Sequence, residues 1–534
     1  MLTIGRIHGP VLQEEEEEEE ALAVQLRPAL CECAAHVVAG RFDDANRCFA
    51  RVVGLASVAD GPLQRLAVVM ADGLVRRLTA GINRALIDPS SYFDQRSIRA
   101  ARCNLFELVP FLKVAYVTIN RAILDGMEHE KYVHVIDLSG PAAHPWQWLK
   151  LMRSLHGRPE GAPHLRITLV HDDGTFLANM EALLRKKADA QGMAFSFHGF
   201  LGRLETLDFS NLHDALGIRS GYARAFSCAL QMHRLLPVSD TVSNTGTVQL
   251  QQVANMAQVQ QLAASPTTPL SPFAQTPPSP QRIIPRLLTS FLPAVRALSP
   301  KIVAVMEQDA GHNGLDFMAR FEEALHYYAA LFDALDEAGA AYQMPEERRQ
   351  VEQVLLGEEI KDMLMREGAE RHERHERLHQ WAVRMENAGF GGVQLSYIAK
   401  MEADEVLREC RLRGYENREQ GGCLLLCRSG RSLYFVSAWR PWPSQGSASA
   451  SSAGTGSRST PSPPGDRRRA SSAHLAAVLS VRCHESGKVD PLSVTSIFRA
   501  EIDQKRSSKF DGQDSVLCAS FRHIPTGNML FDSV

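Results

Sequence analysis

Four groups of residues in this chain have the types and spacing that chemistry uses. Asp137 closes the apolar run YVHVIDL, and Ser139 and Gly140 follow it. A strand leads into a phosphate- or cofactor-cradling loop in this order. His134 lies in the same run, and Asp309 and His312 sit in MEQDAGHNG (306–314), after a second apolar run. An Asp and a His brought together at strand ends make a general base. His372, His375 and His379 in ERHERHERLHQW (370–381) are three and four residues apart, which on a helix would put three imidazoles on one face, within reach of a metal. Cys31 and Cys33 form C-x-C, and Cys423 and Cys427 form C-x-x-x-C.

Each group has a plainer reading. The loop DLSGPAAHPWQW holds one glycine, followed at once by Pro141, which offers no N–H and fixes its own φ. Pro145, Trp146 and Trp148 add bulk where a cofactor would need room. A structural role for this loop is favoured, with Asp137 accepting hydrogen bonds that hold the strand end in shape, and no cofactor is expected. No nucleophile motif such as G-x-S-x-G accompanies the Asp and His residues, so no catalytic residue is assigned. The Glu and Arg residues between the histidines suit an exposed, salt-bridged helix better than a metal centre. The cysteines lack the paired spacing of a zinc module, and read as small buried hydrophobes in a reducing compartment.

The elements that must position these residues fall into two textures. From about 21 to 125 the pattern is helical. Leu63, Leu66, Met70, Leu74, Leu78 and Ile82 form one apolar stripe, and Phe111, Val114, Thr118, Ile119, Ala122 and Ile123 form another; both keep helical spacing. From Tyr132 onward β-branched runs alternate with helical stretches. The expected strands are 132–138, 164–170, 194–200, 225–230 and 301–307, with helices at 146–155 and 175–190 between them. Late in the chain, GCLLLCR and SLYFVSAW flank a Ser-Gly turn and predict an antiparallel hairpin. The fold class is therefore α/β, a doubly wound Rossmann-like (methyltransferase-like) sheet finished by that hairpin, with an N-terminal α-helical cap.

The remaining segments do not read as core. The run Glu14 to Glu20 predicts a disordered acidic N-terminus (1–20) or a frayed helix start. Residues 238–281, rich in Ser, Thr, Pro and Gln, predict a disordered insertion, and 441–534 a low-complexity linker with an unassigned tail. The 534 residues are 45% hydrophobic and 22% charged, with a formal net charge of -3. That suits a soluble globular protein and supplies no basic field for holding a nucleic-acid backbone. No signal-peptide pattern or membrane-length apolar run is read, so an intracellular, soluble protein is expected.

Taken together, these stretches resemble the plant GRAS family of transcription regulators. YVHVIDL is similar to its VHIID motif (Val133, His134, Val135, Ile136, Asp137), and RPEGAPHLRITLV (158–170) to the P-x-L-R-I-T stretch after it. FMARFEEALHYYAALFDALD (317–336), VEQVLLGEEIKDML (351–364) and REGAERHERHERLHQWAVRMENAGF (366–390) resemble its PFYRE region, and Ser437, Ala438, Trp439 and Arg440 its SAW motif. The resemblance spans about 26 to 440 and is nearest the scarecrow-like branch linked to gibberellin signalling. Two places depart from the pattern. LRPAL (26–30) stands where many members have L-x-x-L-L, and Arg428 lies near the place of a hairpin tryptophan.

The resemblance implies a helical cap on a Rossmann-like core and a role as a nuclear transcriptional co-regulator. The implied partners are other GRAS proteins, DELLA repressors among them, in homo- or heterodimers, and INDETERMINATE-domain zinc-finger factors that make the DNA contact. Direct DNA contact and membrane association are not expected. Candidate motif or interface residues are the five of VHVID, the stripe Leu63, Leu66, Met70, Leu74 and Leu78, Trp381, and Ser437, Ala438 and Trp439. The rival reading is a small-molecule-binding or methyltransferase-like enzyme using the crevice beyond Asp137.

Overall fold

The computed structural model describes residues 10–57, 60–80, 93–237, 287–410 and 412–443. The insertion expected at 238–281, Ile82 and all but the first residues of the expected tail lie outside them. One compact unit contains the described chain through Pro441.

Five helices come first: α1 (Pro10–Val38), α2 (Phe42–Leu55), α3 (Pro62–Ala80), α4 (Gln95–Leu108) and α5 (Phe111–Gly126). Then β1 (Tyr132–Asp137), α6 (Pro145–His156), β2 (His164–His171), α7 (Gly174–Gln191), β3 (Phe195–Leu201), the single turn α8 (Leu212–Ala215) and β4 (Ala223–Ala229) alternate. After them come α9 (Leu287–Ala297), β5 (Ile302–Gln308), α10 (Phe317–Ala341), α11 (Pro345–Gln350), a π-helical stretch (Val351–Leu356) and α12 (Gly357–Met365). The described elements close with α13 (Leu378–Asn387), β6 (Phe390–Val393), α14 (Tyr397–Glu409), β7 (Tyr415–Gln420), β8 (Cys423–Arg428) and β9 (Arg431–Pro441).

The strands form one sheet in the order β3-β2-β1-β4-β5-β9-β8-β7, with β6 paired to the far end of β9. Pairs from β3 to β5 are parallel, while β9 enters antiparallel between β5 and β8. The doubly wound sheet and its terminal hairpin are as expected. The chain reverses from one side of β1 to the other at β4, so the crevice beyond β1 and β4 is the topological switch point. Successive residues of β9 serve opposite layers. Tyr434 meets Phe111 of α5, with ring centroids 5.0 Å apart, while Phe435 joins Phe291 of α9 and Trp381 of α13 in the core of the other face.

The cap departs from the expected division at 125. α3 packs against α10 and α12, and α4 against α11 and the π-helical stretch, so residues 317–365 complete the cap that α1–α4 begin. α5 instead lies on the sheet, against β5 and β9. The reason is the stripe on α3. Leu66, Met70 and Leu74 are fully buried, each side chain contributing about 1.5–3 kcal/mol by leaving water, and only the late helices offer apolar faces long enough to cover them. Gly73 lets α12 come close, since a Cβ there would stand 3.0 Å from Leu364 Cδ1.

Helix α1 takes the second of the two readings of the acidic run, a helix start. It begins at Pro10 and takes in the acidic run, so Glu14 to Glu20 continue a helix and do not form a separate disordered tail. Glutamate is a good helix former, and the helix is anchored further on by the buried residues Leu26, Ala29, Leu30, Cys33, Ala34 and Val37. Ala21–Val38, 18 residues of mean hydropathy 1.2, is long and apolar enough to cross a membrane, a run the sequence reading did not count. Its buried stripe packs on α2, α3 and α10.

Candidate functional site

The site begins at the end of β1. Asp137 is completely buried, and its carboxylate accepts two hydrogen bonds: Ser139 N–H to Oδ1 and Trp148 Nε1–H to Oδ2, both at 2.9 Å. Burial pushes the Asp137 carboxyl up to about 6, although these donors pull it down. The loop beyond uses its own backbone. Ala142 N–H donates to Ser139 O, Ala143 N–H to Gly140 O and Gln147 N–H to His144 O. Gly140 has φ +50°, and a Cβ there would meet Gln231 Oε1 at 3.4 Å, so glycine serves the tight turn and the close packing beside it.

The neighbours fill the crevice further. Ser139 Oγ accepts from Ala229 N–H at 3.0 Å, and Gln147 Nε2 donates to Ser227 Oγ at 3.3 Å, which ties the β1 loop to β4 across the switch point. Phe106 of α4 stacks on His144 at 3.9 Å between centroids, and Tyr116 of α5 donates its hydroxyl to Ala142 O. The cap thus seats directly on the loop. Asp137 acts as the structural acceptor the sequence suggested. The tryptophan expected only to add bulk, Trp148, is one of its donors.

Asp137, His134, Asp309 and His312 do not assemble. Among the described residues no hydrogen bond or ion pair joins any two of them. His134 Nε2 faces Thr168 Oγ1 at 2.8 Å, and burial with nearby Arg166 and Arg224 holds the imidazole down at about 3, hence neutral. Asp309 Oδ1 accepts Leu378 N–H at 2.9 Å at the start of α13. His312 turns to His375, with their Nδ1 atoms 2.9 Å apart. An Asp–His base is therefore not formed.

The histidine-rich segment corrects a second expectation. Residues 371–377 are not helical; α13 starts only at Leu378. His372 and His379 are exposed while His375 is buried, so the three imidazoles expected on one face are separated. Nor are the charges solvated. Arg371, Glu373, Arg374 and Glu376 are buried and paired with distant elements. Asp362 accepts the N–H groups of His372 and Glu373 at 2.7 and 2.8 Å, and Glu376 grips Arg384 with both oxygens.

The remaining candidates sit in the chain's own core. Val133, Val135 and Ile136 are fully buried, as are Leu66, Met70 and Leu74; Leu78, Trp381, Ser437, Ala438 and Trp439 are nearly so. None of these can meet a partner on the surface. Leu63 alone is half-exposed, at a cavity of about 480 Å³ that Leu22, Ala23, His326, Arg428 and Arg431 also line. Leu26, Ala29 and Leu30 of the departing LRPAL segment are buried too. Cys423 and Cys427, four apart on β8, face one core cluster, and no disulfide joins any described cysteine.

Sequence reasoning noted Arg428 as a departure and missed its partners. It stands near the place of an expected aromatic anchor and binds β8 to α10 through Asp333 (Nη2 to Oδ2, 2.7 Å) and Glu337 (Nη1 to Oε2, 2.7 Å), over the ring of Tyr415. A buried arginine at a strand end carries no local pattern that announces partners on a helix more than ninety residues earlier.

A methyltransferase-like sheet whose switch-point loop is closed by its own side chains, under a cap built from both ends of the domain, defines a Rossmann-like scaffold whose first crevice serves packing. The GRAS domain family's profile matches residues 26–440, and the chain belongs to that family. It is 38% identical to Scarecrow-like protein 3 of Arabidopsis thaliana, over 77% of this chain and 88% of that protein. It is 30% identical to the DELLA protein RGL1 of Arabidopsis thaliana, over 78% of this chain and 70% of that one. The crystal structure of SCL7 in Oryza sativa superposes with a TM-score of 0.57 and 28% identity, covering 73% of this chain and 94% of the other. Membership beside scarecrow-like and DELLA relatives supports a regulatory role in plant development.

Proposed function

We propose that the protein is a nuclear transcriptional co-regulator that works by protein–protein contacts in the gibberellin response. Its partners are other GRAS proteins, DELLA repressors included, with which it forms homo- or heterodimers, and INDETERMINATE-domain zinc-finger factors that hold the DNA. The observation that carries this reading is the Asp137 loop. Its carboxylate is satisfied by Ser139 and Trp148, so the crevice's chemistry goes into packing and the surface is left to carry function. The formal net charge of -3 supports an indirect hold on DNA.

Fluorescence anisotropy with the purified full chain, labelled duplex DNA, a zinc-finger partner and a DELLA protein tests it. The chain alone should bind duplex weakly. Adding the zinc-finger protein should give a ternary complex whose salt dependence is that of the zinc-finger protein. Tight, sequence-specific binding by the chain alone overturns the reading, and so does failure to form a micromolar complex with either protein partner.

A further inference from the structure

Three side chains outside the Asp137 crevice converge where β4, β5 and the 371–377 segment meet. His233 follows β4, and Glu373 and His375 lie in the segment; all three are buried, with one ligating atom from each within 4.8 Å of the others. Glu373 Oε2 stands 3.0 Å from His233 Nε2 and 3.3 Å from His375 Nε2. Despite these short distances neither ring nitrogen makes a well-aligned hydrogen bond. Two buried imidazole nitrogens that share one carboxylate oxygen without an aligned hydrogen bond are costly.

The surroundings are those of a metal centre. Glu307 Oε2 holds His233 Nδ1 at 2.8 Å, and its other oxygen accepts the Met232 and His233 backbone N–H groups. That arrangement is a carboxylate–histidine pair aiming Nε2 inward. His375 Nδ1 meets His312 Nδ1 at 2.9 Å, which also leaves Nε2 of His375 as the inward atom. Arg234 holds the other oxygen of Glu373 at 2.5 Å, so Oε2 is the oxygen turned to the histidines. With metal–ligand distances of about 2.0–2.1 Å, ligand atoms of a tetrahedral zinc site stand about 3.3 Å apart, close to the two separations between Glu373 and the histidines.

We propose that His233, Glu373 and His375 bind one divalent cation of the zinc class, which clips the 371–377 segment to the ends of β4 and β5. The donor set is two neutral imidazoles and a carboxylate. His233 keeps its proton on Nδ1, facing Glu307, and His375 keeps its own on Nδ1, facing His312. The fourth position of such a set is taken by water. This site is independent of the regulatory reading above.

The test is metal content of the full chain, purified without chelator from cells grown with added zinc. Mass spectrometry should find about one zinc per chain, and zinc-edge X-ray absorption should show a nitrogen and oxygen shell without sulfur. Glu307→Gln should weaken zinc affinity about 10–100-fold, and His375→Gln should abolish it. Zinc below about a tenth of an equivalent overturns the proposal and leaves a protonated cluster. So does a sulfur-containing shell, or full zinc retained by folded His375→Gln. If the variants do not fold, the wild-type chain decides: chelation with refolding should lower its Tm, and an unchanged Tm counts against the clip.

Discussion

Trp148 reaches back from the first turns of α6 to donate its indole N–H to Asp137 at the end of β1, 2.9 Å away and wholly buried. Strand, loop and helix are thereby locked as one unit. In a cofactor-binding sheet the loop after the first strand keeps its N–H groups for the ligand. Here Ser139, Ala142, Ala143 and Gln147 spend theirs within the loop.

Asp137→Ala should therefore act on stability. It leaves the Ser139 and Trp148 N–H groups without acceptors, at about 1–3 kcal/mol each. Denaturant melts should show that loss, and calorimetry with S-adenosylmethionine should show no micromolar binding to the wild type. Binding that vanishes in a stably folded Asp137→Ala would make the crevice a live site.

A pH dependence follows from the same carboxyl. Its ordinary value is 3.8 and burial raises it to about 6 in the folded chain. Between these values the folded state binds more protons than the unfolded one, so Asp137 contributes stability that is full below about pH 4 and lost as pH rises through about 6. The size is on the order of 3 kcal/mol. Asp137→Asn cannot titrate, so the stability difference between wild type and variant should shift against the wild type across this window and level off above it. A difference independent of pH from 4 to 7 would contradict the raised value.

Much of this architecture could be read from the chain. The strands β1, β2 and β5 are rich in β-branched residues and buried, and their runs name them directly, while β3 and β4 were legible from their place in the alternation. β6 and β7 escaped notice, because FGGV is four residues with two glycines and YENREQ is polar and largely exposed. The Asp137 loop was legible because Pro141 and a lone glycine are local signals. The 371–377 segment was not, since Glu373 pairs with Arg234 and Glu376 accepts from Asn313, residues far off in sequence, and Asp362 takes up the His372 backbone N–H. One hint was present. Glu, Arg and His recur there every three residues, a period that drifts around a helix and alternates on a strand. The cap was half legible. The α3 stripe announced a buried face, but a sequence cannot say whether the chain itself or another chain covers it.

For that stripe the structure gives the answer that Leu74→Ala tests. Leu74 is fully buried among the chain's own helices, so truncation should cost about 2–5 kcal/mol of stability. Pairing with another GRAS protein, measured on the folded fraction, should be unchanged. Normal thermal stability with lost pairing would return the stripe to an interface.

The brace between the two parts of the cap can be isolated by a mutant cycle. Arg65 of α3 grips Glu352 of the π-helical stretch with two hydrogen bonds of 2.9 Å, and also reaches Asp336 of α10 at 2.7 Å. Both Arg65 and Glu352 are buried, and burial raises the Glu352 carboxyl even against its arginine. Desolvation thus takes back much of what the pairing provides. Removing one partner strands the other charge in the interior. Arg65→Met or Glu352→Met should therefore each cost about 3–5 kcal/mol, read as a lower denaturation midpoint at unchanged slope. The double variant buries two flexible apolar chains of similar length and strands neither charge against the other. Its loss should fall short of the summed singles by about 0.5–3 kcal/mol. Asp336 and Arg348 pair with each other at 3.0 Å, so they keep a partner when Arg65 and Glu352 are both gone. Strict additivity would mean that the late helices are held to α3 by apolar packing alone.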